Sequence, residues 1–296
     1  MRAVLAGGSG FLGRALADRF VTEGHEVVVL TRRPRQGVRT DQPWTPDGSI
    51  GPWASALIGA DVVLNLAGEG IADRRWSAER KRALRDSRLL PTRSLTRAIL
   101  QADQPPPIFI SGSAVGYYGA CGDEPLTEDA PPGRDFLATL SVDWEREAEP
   151  AARATRLIVL RTGVVLHPSG GALAQMVPLF KMGIGGALGS GRQQTSWIHL
   201  ADWVSLVCWL IATPRAQGAF NATAPAAVTN AELTRTLGRV LRRPAIIPVP
   251  TFALRVLYGE FADSLVQGQR AVPAHAERLG FQFAFRQLEP ALRDLL

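Results

Sequence analysis

The chain has 296 residues, 46% apolar and 20% charged, enough for one large α/β domain with a smaller lobe attached. The net charge of +6 rests on arginines spread along the chain, with lysine only at Lys81 and Lys181, which argues against a nucleic-acid partner. Two cysteines, Cys121 and Cys208, and no Cys or His cluster at zinc spacing argue against a disulfide framework and a metal centre, and favour a cytoplasmic location.

No secretory leader is expected, because Met1-Arg2 runs straight into residues 3–6, a short apolar run ending in glycines, as a buried parallel strand does. Residues 11–21 follow as a helix with Leu12, Leu16, Ala17 and Phe20 on one face, stopped at Gly24. Residues 26–31 are a second buried strand, completing a β-α-β unit of about 30 residues. The stretch 34–52 reads mostly as loop around at most one short strand. A strand is expected at 61–66, a helix at 78–101 with a kink at Pro91, a strand at 108–111, a helix at 135–153 and a strand at 156–161. The basic run 74–97 carries Glu79, Asp86 and apolar residues at helical spacing, which is the pattern of a solvated helix face. Past Gly163 the pattern loosens: 170–191 is glycine-rich and irregular, 200–213 is a helix, 219–222 a short strand, and 230–241 a helix capped by Asn230. The longest apolar stretch, 203–212, is about half a membrane span, so no membrane partner is expected. Residues 244–296 hold apolar helices without a sheet pattern.

Strands alternating with helices predict an α/β fold, a Rossmann-type doubly wound parallel sheet with a smaller mixed C-terminal substrate lobe. Residues 1–165, with 195–225 returning to them, would form the cofactor-binding domain, and 166–194 with 226–296 the substrate side. Gly7-Gly8-Ser9-Gly10-Phe11-Leu12-Gly13 lies between the first strand and first helix. Gly7 permits the turn, Gly10 lets a diphosphate approach the backbone, and Gly13 lets helix and strand pack closely, with the helix N-terminus offering free N–H groups. An NAD site places a carboxylate at the end of the second strand; here Thr31-Arg32-Arg33-Pro34 stands there, and no acid lies between Glu26 and Asp41. Two guanidiniums suit a 2′-phosphate, so the expected cofactor is NADP.

The glycine spacing, GxxGxxG, matches the extended branch of the short-chain dehydrogenase/reductase superfamily. Asn65-Leu66-Ala67-Gly68 resembles that branch's fourth-strand motif, which lines the adenosine and nicotinamide ribose. Ile110 to Gly119 resembles its fifth-strand motif, which makes Ser113 the matched catalytic serine. Residues 196–202 resemble its later, mainly structural HVxD segment. Together with NLAGEGIADRRW, SAVGYYG, GSGRQQTSWIHLADW and ALRVLYGEFADSLVQGQR, these segments make the whole chain similar to the SDR39U1-like epimerase family of atypical extended members. One departure is plain. The superfamily's Tyr-x-x-x-Lys pair is absent: four residues after Tyr117, Tyr118 and Tyr258 stand Cys121, Gly122 and Ala262, and Leu137 and Ser141 occupy the nearest equivalent positions.

The catalytic candidates are Ser113, to bind a substrate oxygen or merely to cap a strand end, and Tyr117, to supply a phenol or to pack the cleft beside Tyr118. Lys181 and Arg192 are candidates for an anionic group, Glu69 for the nicotinamide side, and Trp44, Trp76 and Trp197 for cleft walls; solvation or core packing is the plainer role for each. His199 is read as a packing residue. The expected function is an NADP(H)-dependent oxidoreductase or epimerase-like enzyme on a small-molecule substrate, as monomer or homodimer. A catalytically silent NADP(H)-binding redox sensor is the alternative.

Overall fold

The computed structural model describes residues 1–34 and 40–296, so positions 35–39 of the expected 34–52 loop lie outside the described residues. Seven strands form one sheet, parallel throughout: β1 (Arg2–Ala6), β2 (Glu26–Thr31), β3 (Thr40–Pro43), β4 (Val62–Asn65), β5 (Ile108–Ala114), β6 (Arg156–Thr162) and β7 (Gly218–Ala222). Their spatial order is β7-β6-β5-β4-β1-β2-β3. Val4 lies between Val28 and Val63 in register, and side chains alternate between two cores. Ala3, Leu5, Val27 and Val29 pack toward α1 (Phe11–Thr22); Val4, Ala6, Val28 and Leu30 pack toward α2 (Ala78–Gln101). A sheet covered on both faces needs apolar residues at every position, which is why these strands read as unbroken apolar runs.

Several local expectations are corrected. The helix expected over 135–153 is α3 (Phe136–Ala148), capped by Asp135, followed by a 3₁₀ turn at Glu149–Arg153 whose Pro150 lacks the N–H an α-helix needs. The expected irregular stretch 170–191 contains α4 (Gly171–Lys181), which buries Leu173, Val177 and Phe180 on one side. Helix α5 (Leu200–Ala212) is followed by α6 (Asn230–Leu241), and the α6 cap is Thr229, not Asn230. Thr229 Oγ1 accepts from Glu232 N at 3.1 Å, the arrangement of a Thr-x-x-Glu capping box, while Asn230 Oδ1 accepts from Leu188 N at 2.8 Å. The C-terminal part, α7 (Thr251–Tyr258), α8 (Phe261–Leu265), α9 (Ala274–Leu279) and α10 (Leu288–Leu295), is not free of strand pairing: Arg270–Ala271 pairs in parallel with Pro125–Leu126.

A further core joins α4, α6 and α10 through Leu173, Val177, Leu237, Leu288 and Leu292. Ala276, Phe281 and Phe283 enter the core on the α1 side of the sheet. The Asp202 carboxylate of α5 accepts from Ala284 N and Phe285 N, at 2.9 and 2.8 Å, which ties this stretch down. The strand order reverses at β1, so a crevice opens at the carboxyl ends of β1 and β4, where ligands bind in open α/β sheets.

Candidate cofactor cleft and the polar network beside it

The turn between β1 and α1 is shaped by three missing side chains. Gly7 has φ +81°, and a Cβ there would lie 2.6 Å from the carbonyl carbon of Leu66. At Gly13 a Cβ would lie 2.2 Å from the Gly7 oxygen, so helix and strand touch as the spacing predicts. At Gly10 the nearest described atom is the Gly7 oxygen at 3.3 Å, and the remaining space is open. Gly10 is also the N-cap of α1; no side chain caps it and no acid stands in the first turn. The amides at this helix start therefore keep their donors and a partial positive charge for an incoming anion.

The turn opens on a cleft of about 1130 Å³. Gly7, Ser9 and Gly10 form its floor, Arg32 and Arg33 its rim at the end of β2, and Leu66, Ala67 and Gly68 its wall after β4. Phe11, Leu12 and Gly13 stand behind this surface, in the first turn of α1. Both arginine side chains are exposed, and Thr31 Oγ1 accepts from Arg33 N at 3.2 Å. Asn65 is fully buried beneath the wall: its Oδ1 accepts from Ala67 N at 3.2 Å and its Nδ2 donates to Thr92 Oγ1 at 2.7 Å. Its observed work is to hold the loop that carries Leu66–Gly68. Arg88 supports the same loop by donating to Glu69 O at 2.9 Å; burial, reinforced by the neighbouring Arg80 charge, lowers it to about 10, still cationic at neutral pH. Arg14, on the first turn of α1, and Trp44 also line the cleft. Arg14 was missed because arginine is common everywhere in this chain.

Ser113 sits on β5, two residues beyond the row Ala6–Asn65–Ser111 that marks the same sheet edge. It is 5% exposed, and its hydroxyl donates to Glu145 Oε1 at 2.6 Å. Glu145 is on α3, four residues after Ser141 and eight after Leu137, the helix where the superfamily places its Tyr-Lys pair. Arg161, at the end of β6, clamps that carboxylate with two bonds of 2.9 Å. It also donates to Tyr118 Oη at 3.1 Å and to Glu128 O at 2.9 Å, and lies 3.5 Å above the centre of the Tyr117 ring. Tyr118 in turn donates to Asn221 Oδ1 at 2.7 Å. Burial opposes the Arg161 charge, but Glu145 outweighs it and raises the guanidinium overall; burial pushes the Tyr118 phenol up to about 12. Tyr118 thus holds its proton throughout the neutral range. One sequence signal for this network existed: a charge inside the apolar run of β6 has to find a partner when buried.

The remaining candidates separate clearly. Lys181 and Arg192 are exposed, and Glu69 forms an ion pair with Arg80 at the cleft margin. Trp76 and Trp197 are buried with their indole N–H groups on the Ile71 and Ala226 carbonyls. His199 is buried against Phe285, and its Nδ1 accepts from Ala201 N at 3.0 Å, which makes it a helix cap in the core. Among the described residues no cluster of three His, Cys, Asp or Glu side chains is arranged for a metal ion, and no helix is long and apolar enough to cross a membrane.

Comparison with known proteins gives the following. Residues 3–223 match the model of the NAD dependent epimerase/dehydratase family, and residues 249–295 match a domain of unknown function. The epimerase family protein MT2273 of Mycobacterium tuberculosis is 45% identical over 291 residues, 97% of this chain and 95% of that protein. A crystal structure of the human epimerase family protein SDR39U1 with NADPH superposes with a TM-score of 0.90 at 34% identity, covering 100% of this chain and 99% of that one. A nucleoside-diphosphate sugar epimerase from Corynebacterium glutamicum has a TM-score of 0.80 at 33% identity; it covers all of this chain, which spans 58% of it.

Proposed function

This chain belongs to the NAD dependent epimerase/dehydratase family as an SDR39U1-like member, and from that footing we propose that it is an NADP(H)-dependent oxidoreductase or epimerase-like enzyme acting on a small polar molecule, such as a nucleotide sugar or a carbonyl compound. One observation carries the reading: an uncapped helix start, open at Gly10, faces a cleft whose β2 rim bears Arg32 and Arg33 where an NAD site has an acid. The human relative crystallised with NADPH supports the same choice. In this reading the Gly7–Gly10 turn and the α1 N-terminus hold the diphosphate. Arg32 and Arg33, helped by Arg14, hold the 2′-phosphate, and Leu66–Gly68 flank the sugar. When bound, the nicotinamide supplies a hydride acceptor or donor.

Residues 1–165 with 195–225 form the cofactor-binding domain in this proposal, and the remainder faces substrate, in a cytoplasmic monomer or homodimer. Ser113 gives its proton to Glu145, so it offers lone pairs to a substrate hydroxyl, and Tyr117, held beneath Arg161, packs beside that oxygen. A second reading, a silent NADP(H)-binding redox sensor, draws on the same network: the Ser113 proton is engaged and the Tyr118 phenol is pushed up to about 12.

The test has two arms. Replacing Arg32 and Arg33 with alanine is expected to weaken NADPH about 10- to 100-fold, the worth of one or two charge-assisted contacts, with little effect on NADH. Equal losses for both dinucleotides remove the NADP assignment. Wild-type protein loaded with NADPH is then offered nucleotide sugars, ketones and quinones. Substrate-dependent loss of NADPH absorbance that Ser113→Ala abolishes without changing cofactor affinity supports the enzyme; no change with any compound supports the sensor.

A further inference from the structure

Twelve large apolar side chains are exposed among the described residues, and eight of them fall in two short segments, 179–184 and 246–257. The most exposed are Ile246 at 81%, Phe252 at 72%, Val256 at 70%, Met182 at 64% and Leu257 at 63%, with Leu179, Ile184 and Ile247 beside them. The segments run side by side. Ile247 N donates to Gly185 O at 3.4 Å, Val249 N to Ala187 O at 2.8 Å, and Arg243 Nε to Lys181 O at 3.2 Å. Helix α7 follows directly from Pro250, burying Leu254 and presenting Phe252, Val256 and Leu257 outward. Soluble monomers rarely keep so many large apolar side chains together in water without a use for them.

The two segments themselves carry cations and no acid, and the acids that follow α7, Glu260 and Asp263, are paired with Lys81 and Arg255. Residues 178–184 and 242–258 contain Lys181, Arg242, Arg243 and Arg255 and no Asp or Glu. Arg255 pairs with Asp263, and among the described residues Lys181, Arg242 and Arg243 form no ion pair. Arg242 adds a second, independent sign. It is the one non-glycine residue with positive φ among the described residues, at +53°, and it ends α6 in the left-handed conformation that glycine adopts at less cost. Its side chain is exposed there.

We propose that this face docks peripherally on an anionic lipid bilayer. Ile246, Phe252, Val256 and Leu257 enter the boundary between headgroups and acyl chains, and Lys181, Arg242 and Arg243 meet the lipid phosphates. A second copy of the chain fits less well, because a two-fold contact would bring the same cations face to face. The expectation of no membrane partner came from the lack of a spanning segment and does not bear on an apolar surface. This inference is independent of which dinucleotide the cleft holds.

The experiment is co-sedimentation of the full chain with vesicles of phosphatidylcholine alone and of phosphatidylcholine mixed with phosphatidylglycerol. Binding is expected to the mixed vesicles only, and to fall severalfold when salt is raised well above physiological strength, where the Debye length drops from about 8 toward 3 Å. Phe252→Ser with Leu257→Ser should reduce binding at least tenfold. Arg242→Gly should also weaken binding severalfold while leaving the thermal midpoint unchanged or higher, which separates lost docking from lost folding. Equal binding to both vesicle types, or none to either, overturns the proposal. So does sedimentation equilibrium in which the wild type is a dimer that the Phe252/Leu257 double variant makes monomeric, because the face would then be a contact between copies.

Discussion

Arg161 is 5% exposed, in a place where an unpaired charge would be very costly, yet each of its three side-chain nitrogens donates to a group outside β6. It holds Glu145, and through Glu145 the hydroxyl of Ser113. Removing one partner of such a pair strands the other, so Arg161→Met is expected to cost about 3 kcal/mol in urea unfolding, the low end for a buried pair because Glu145 keeps some contact with solvent. Adding Glu145→Gln to Arg161→Met should recover part of that loss. If the double variant is as unstable as the sum of the two single ones, the pair is not a coupled unit. Ser113 could be read from its motif, but its partners could not. They lie 32 residues away for Ser113–Glu145, 16 for Arg161–Glu145 and 103 for Tyr118–Asn221, so only the folded sheet brings them together.

Among the elements, the strands were the most legible, since β1 and β2 lie inside the sheet and show unbroken apolar runs. The glycine turn was legible for a similar reason: backbone proximity at Gly7 and Gly13 forbids any Cβ, and that demand is written directly in residue type. Helix α4 was hidden because Gly170 and Gly171 open it and Gly183 follows it, which masks a buried stripe of only three residues. The start of α6 was misassigned by one position because Thr229 and Asn230 are both good caps, and what separates them is the loop at Leu188 that takes up Asn230. Thr229→Ala should therefore lower stability by about 1 kcal/mol in denaturant unfolding, with Thr229→Ser restoring most of it. A loss from Thr229→Ala no larger than that of an exposed helix substitution would return the cap to Asn230.

At the scale of the whole molecule, the C-terminal part is fastened to the sheet domain at a few polar points, and one of them titrates. Burial lowers His199 from its ordinary value, against the opposing pull of Asp294 and Asp202, and its Nε2 lies 3.2 Å from Asp294 Oδ2 on α10. The folded chain therefore takes up this proton at lower pH than the unfolded chain, whose imidazole titrates near pH 6.5. Stability is thus fully present above about pH 6.5 and declines as pH falls through that value. Urea midpoints measured on either side of it should differ less in His199→Asn, which keeps a capping oxygen but has no titrating ring; an unchanged difference would place the pH dependence elsewhere. The same anchorage has a consequence for how the chain is made. All seven strands have been synthesised once residue 222 is added, but Ala276, Phe281 and Phe283, which finish the core over α5 and β7, have not. Until they arrive, the nascent sheet presents Trp209 and Phe220 with their aromatic neighbours Phe281 and His275 still missing. A message truncated before residue 274 should yield a product that chaperones retain and proteases clear, even though every residue of the dinucleotide cleft is present in it.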